Sequence, residues 1–99
     1  MFEIELAAEA IKDLKKLRAF DKKQVIEAIE RQLTHEPLKP SRNKKVLMNL
    51  EPPWEAVPPI WELRVGQFRI FYDVNAEAYC VYVRAIRIKP LGKTTGEIL

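Results

Sequence analysis

The run WELRVGQFRIFYDV, Trp61 to Val74, alternates apolar and polar residues, the period of a half-buried strand, and two of its polar positions are Arg64 and Arg69. Gly66-Gln67 suits a two-residue type II′ turn, with glycine first. Val65 then pairs with Phe68, Arg64 with Arg69, and Leu63 with Ile70. One face of this hairpin carries Trp61, Leu63, Val65, Phe68, Ile70 and Tyr72. The other carries Glu62, Arg64, Arg69 and Phe71. If Asn75 to Ala78 form the next turn, Arg69 faces Arg84 across a second hairpin, and Tyr82 lies beside Phe71. Three arginines on neighbouring strands repel one another. A bound anion would offset that cost, and guanidinium donors match phosphate oxygens. Phe71 and Tyr82 could stack on an unpaired base. An ordinary solvated face explains the same pattern equally well, with Glu62 neutralising an arginine. A one-residue slip would turn every side chain over.

Those strands need elements to hold them. FEIEL, Phe2 to Leu6, alternates as a strand. Ala7, Ala10, Ile11, Leu14 and Leu17 form an apolar helical stripe that ends near Phe20. Asp21 to Gln24 suggests a helix start of capping-box type. Val25, Ile26, Ile29 and Leu33 continue a second helix, which Pro37 stops. Ser41 to Lys45, SRNKK, is the basic tip of a polar loop, and Val46 to Leu50 could be a short strand. Pro52, Pro53, Pro58 and Pro59 crowd into eight positions and predict an exposed insertion. YCVYVRAIRIK is a last long strand. The expected fold is α+β: an antiparallel sheet in the order β-α-α-β-β-β, with a helical hairpin on one face.

Ninety-nine residues amount to one domain, 1–99. No apolar run approaches the roughly 20 residues of a membrane span. The acidic start, MFEIELAAEA, does not look like an export signal. A lone cysteine, Cys80, fits a reducing cytoplasm. Residues 1–36 hold seven Lys/Arg against eight Asp/Glu, while residues 37–99 hold ten against six. The positive balance, net +3 overall, therefore sits in the second half. A pI near 9.1 is compatible with nucleic acid. No clustered histidines, cysteines or carboxylates suggest a metal or cofactor. His35 fits a helix C-terminus better than a catalytic role. Cys80 suits strand packing, Trp61 suits the core, and Trp54 either folds back onto an edge of the core or offers a contact.

Together with SRNKK and VYVRAIRIKP, the hairpin W-E-L-R-V-G-x-F-R-x-F-Y-D resembles the RelE/ParE superfamily of bacterial type II toxin–antitoxin toxins, over nearly the whole chain. The resemblance implies a small cytoplasmic toxin bound by a cognate antitoxin in a hetero-oligomer. RelE-like members enter the ribosomal A site and cut mRNA without a metal, whereas ParE-like members inhibit DNA gyrase. In the nuclease, Arg69 would hold the scissile phosphate, Arg64 a second contact, and Lys89 would contribute to catalysis. Arg42, Lys44 and Lys45 would grip RNA, supported by Arg84, Phe71 and Tyr82. The tail IKPLGKTTGEIL lacks the Tyr or His common after the last strand. Glu62 or Tyr82 would then serve as the base. A degenerate toxin that only binds its antitoxin is the third alternative.

Overall fold

The computed structural model describes all 99 residues, Met1–Leu99. Its central feature is the hairpin of β3 (Ile60–Val65) and β4 (Phe68–Asn75), joined at Gly66-Gln67. Gly66 sits at φ 58°, which meets the positive-φ demand of the turn's first position. Val65 pairs with Phe68, Arg64 with Arg69 and Leu63 with Ile70, as the alternation predicts. Opposed arginines disfavour this register by an amount on the scale of about 0.2–1 kcal/mol, the range of cross-strand pair effects. Burying Leu63, Phe68 and Ile70 favours it by about 1.5–3 kcal/mol each. The core therefore sets the register, and the charge clash is carried along.

Around the hairpin stand β1 (Glu3–Leu6), α1 (Ala8–Lys15), α2 (Ala19–Leu33), β2 (Lys44–Leu47), β5 (Cys80–Ile88) and a short α3 (Thr95–Ile98). The five strands lie in the order β1-β5-β4-β3-β2. The fold is α+β, and every strand pair is antiparallel except β1 with β5, which is parallel. The chain spends both helices between β1 and the rest of the sheet, so β1 returns to the last strand and not to its sequence neighbour. Ala10 and Leu14 from α1 pack with Val25, Ile29 and Leu33 from α2 onto one sheet face. Beneath them lie Trp61, Leu63, Phe68, Ile70, Tyr72, Val81, Val83 and Ile86. The Tyr72 hydroxyl donates to the Pro37 carbonyl at 2.7 Å, tying the helix exit to the sheet. Burial raises the pKa of that phenol, so it remains a donor.

The N-cap of α2 is Arg18, three residues before the Asp21 that the sequence suggests. Asp21 instead occupies the first turn, where its carboxylate favours the helix dipole and lies 3.7 Å from Arg18. His35 is exposed just beyond the end of α2. The turn after β4 is one residue later than predicted, at Ala76 to Tyr79, and β5 starts at Cys80. Cys80 and Trp61 are buried, as their positions suggest.

The larger departure is that the second face of the sheet is half covered. Trp54, from the proline insertion, lies over Phe71 with ring centroids 5.5 Å apart. The Val57 N–H donates to Asp73 Oδ2 at 3.1 Å, which anchors the same loop farther along β4. The insertion thus closes one half of the face and leaves the other open.

Candidate functional site

The open half is a depression of about 90 Å³ lined by Arg42, Asn43, Lys45, Glu62, Arg64, Arg69 and Lys89. Five cations surround one carboxylate, and no apolar side chain is present. Strand β3 supplies Glu62 and Arg64 at alternate positions, β4 supplies Arg69, and the start of β2 supplies Lys45 directly opposite Glu62.

Arg69 is 8% exposed, yet its guanidinium lines the depression. Its Nη1 donates to the Gly66 carbonyl at 2.8 Å and to the Phe68 carbonyl at 3.0 Å, so the turn that creates the register also fixes this side chain. Burial lowers its pKa from the ordinary arginine value; Glu62 opposes the shift and Arg64 adds to it. The group stays charged at neutral pH. Arg64 is exposed and has no ion-pair partner within 4 Å. Two guanidinium groups, one fixed and one free, can hold a tetrahedral anion that neither could orient alone.

Glu62 is 4% exposed at the floor. One oxygen accepts from Thr95 Oγ1 at 2.8 Å, and the other lies 3.7 Å from Lys45 Nζ. Thr95 opens α3, so the tail is tied to the site through this carboxylate. A capping box holds α3 itself: Glu97 accepts from the Thr94 N–H at 2.9 Å.

Lys89 reaches the depression because β5 is irregular. Pairing runs Tyr72 with Val83 and then Phe71 with Ala85, leaving Arg84 opposite no residue. That extra residue reverses the alternation of the strand, so Lys89 arrives on the face that Tyr82 and Arg84 occupied earlier. The Lys89 N–H donates to the Gln67 carbonyl at 2.7 Å, which fastens the strand end beside the turn.

Four expected site residues lie elsewhere. Arg84 is not opposite Arg69; its guanidinium pairs with Asp73, Nε to Oδ2 at 2.6 Å, and lies 4.9 Å from the Tyr82 ring centroid. That hydrogen bond raises its pKa. Tyr82 therefore sits with Arg84 at the covered end of the sheet. Phe71 is fully buried under Trp54 and offers no stacking surface. Lys44 pairs with Leu63 in the register and so faces the helices. There its Nζ donates to the Gln32 and Glu36 carbonyls at 3.2 and 2.8 Å, satisfying backbone at the end of α2. Burial lowers its pKa. Arg87 takes the register position opposite Arg69, but Asp13 and Glu9 of α1 hold its side chain away. Asp13 also accepts from the Ile86 N–H at 2.8 Å, along the stretch of β5 that lies past the end of its pairing with β1. Sequence reasoning missed Thr95 and Asn43. Thr95, the second of two threonines in a polar tail, carries no sign of a contact made 33 residues away.

The fold is that of RelE toxins. The RelBE2 toxin–antitoxin complex from Mycobacterium tuberculosis gives a TM-score of 0.69 at 22% identity, covering 89% of this chain and 98% of that one. An archaeal RelE–RelB complex from Pyrococcus horikoshii gives 0.67 at 19% identity, covering 94% and 98%. The isolated E. coli RelE toxin gives 0.67 at 17% identity, covering 98% and 94%. No curated protein matches by sequence. Residues 4–88 match the family of ParE toxins of type II toxin–antitoxin systems, and the chain belongs to that family. It is a toxin of the RelE/ParE kind. No helix is long and apolar enough to cross a membrane.

Proposed function

We propose that this toxin is a RelE-type, ribosome-dependent endonuclease that cuts mRNA in the cytoplasm, folded as one unit over residues 1–99. The observation that carries the proposal is the open depression in which Arg64 and Arg69 meet Arg42, Lys45 and Lys89 around Glu62. In this reading a ribose 2′-hydroxyl attacks the adjacent phosphorus, and charge grows on the non-bridging oxygens. Arg69, already oriented and partly desolvated, stabilises that charge with Arg64. The bond from phosphorus to the 5′-oxygen breaks as the new one forms, and Lys89 donates a proton to that leaving oxygen, which leaves a 2′,3′-cyclic phosphate. Arg42 and Lys45 hold the flanking backbone. Glu62, the one carboxylate in the depression, accepts the 2′ proton. No metal or cofactor enters this scheme.

A cognate antitoxin is the expected partner, supported by the M. tuberculosis and P. horikoshii relatives, whose structures are toxin–antitoxin complexes. Ribosome and mRNA are the expected targets. Gyrase inhibition is the second reading. It is favoured by the ParE family match and by the enclosure of Glu62 between Thr95 and Lys45, since a gyrase inhibitor needs no base. A catalytically silent, antitoxin-binding chain rests on the same enclosure.

Induction in a bacterial host separates the three. The nuclease reading predicts growth arrest with cleaved transcripts and intact DNA, and loss of arrest in Arg69→Ala at an equal level of folded protein. DNA breaks with whole transcripts would point to gyrase. Absence of arrest at any level of the parent would point to the silent chain.

A further inference from the structure

A second depression of about 280 Å³ adjoins the first and is lined by Ala28, Arg31, Gln32, Asn43, Arg64, Val65 and Gly66. Arg64 and Asn43 belong to both. The polar surface thus continues past the β3–β4 turn onto the last turn of α2. Arg31 is exposed there and has no carboxylate within ion-pair distance. A cation in the last helical turn is favourable with the helix dipole, which explains its presence on α2. The dipole does not explain why it opens into the same recess as Arg64, the free guanidinium of the first depression. Two unneutralised arginines at one recess repel unless an anion lies between them.

We infer that Arg31 and Arg64 form a second backbone-phosphate subsite, so that a single strand of RNA runs from the Arg69 depression across the hairpin turn to α2. This rests on the proposed nuclease reading and extends it. The substrate is a strand held at consecutive phosphates, with Arg64 serving both and Asn43 offering an amide between them. The strand leaves the site on the α2 side, away from the covered half of the sheet. A segment without bases satisfies Arg31 equally well, so the subsite adds affinity and direction but no sequence preference.

The test is the salt dependence of binding to a short single-stranded RNA whose 2′-hydroxyls are methylated to block cleavage, read by fluorescence anisotropy. Losing one phosphate contact lowers the magnitude of the log–log slope by about 0.7. Arg31→Ala is expected to lose that increment and to bind several-fold more weakly at low salt. Arg31→Lys is expected to restore most of both. Alanine is the better helix former, so the substitution does not threaten α2. If the parent binds and Arg31→Ala matches it in affinity and slope, the second subsite is overturned while the nuclease reading stands. If Arg31→Ala weakens binding of an acidic antitoxin segment but not of RNA, the recess serves a protein and the inference is overturned. If the parent shows no salt-dependent RNA binding at all, the subsite is overturned, while the ribosome-dependent nuclease reading is judged separately by cleavage on ribosomes.

Discussion

At the scale of single residues, the same chemistry does opposite work at the two ends of one sheet face. Arg84 and Arg69 both project from strands beside acidic neighbours. Arg84 is neutralised by Asp73 in a pair whose side chains are 12% and 3% exposed, and Asp73 also holds the Val57 N–H. Arg69 is bonded only to carbonyl oxygens, so its charge remains available. Breaking one partner of a buried pair typically costs about 3–5 kcal/mol, because the other charge is left behind without water. Asp73→Ala should therefore destabilise the protein by about 3 kcal/mol in urea denaturation, and Asp73→Asn by less, since an amide oxygen can still accept from Val57. Equal midpoints for parent and Asp73→Ala would show that this pair holds nothing in place. The identity of the paired arginine was not legible in the sequence. Strict alternation puts Arg84 on the face of Arg69 and sets Arg87 out of phase with it, and the extra residue at Arg84 reverses that order.

Elements decide which of these charges meet. The β3–β4 hairpin was legible in full, because the turn glycine and the strict alternation point to one register and burial of Leu63, Phe68 and Ile70 enforces it. The β4–β5 pairing was legible only in part: the parity of Arg84 against Lys89 calls for a bulge or a strand end between them, but no distinctive residue fixes where it falls. Four prolines mark the insertion as a loop, yet its Trp54 seals Phe71 on the face that alternation leaves open. Lys44 and Lys45 are adjacent in a basic run, and the pleat sends one to the helices and the other to the site. The tail has its own sensitivity. Hydrogen bonds from Thr94 depress the pKa of Glu97 below the ordinary carboxylate value of 4.5. A depressed acid contributes its stabilisation above that ordinary value and loses it as pH falls through the folded value. The α3 cap should therefore loosen on acidification, releasing Thr95 from Glu62, while the rest of the fold is unchanged. The Thr94 and Thr95 amide resonances should move on titration in the parent and stay still in Glu97→Gln. Pinned resonances in the parent below the ordinary carboxylate range would contradict the linkage.

For the whole molecule, the charge asymmetry read from composition acquires a position. The depression draws all of its lining from residues 37–99, where the excess of lysine and arginine lies. Residues 1–36 build the helical layer that fixes the sheet from behind and contribute Arg31 at one border. The fold was legible because apolar spacing decides which faces pack. The site was half legible, since side-chain pairing with Asp73, Asp13 and backbone carbonyls depends on contacts distant in sequence. Whether the Arg69 depression cuts RNA is decided by incubating purified protein with ribosomes stalled on a defined mRNA and reading cut sites by primer extension. The proposed nuclease reading predicts cleavage at the codon in the A site, and a loss of about 10²–10³-fold in Arg69→Ala, the scale seen when a preorganised transition-state donor is removed. An uncut message with the parent protein, or equal cutting by Arg69→Ala, would contradict it.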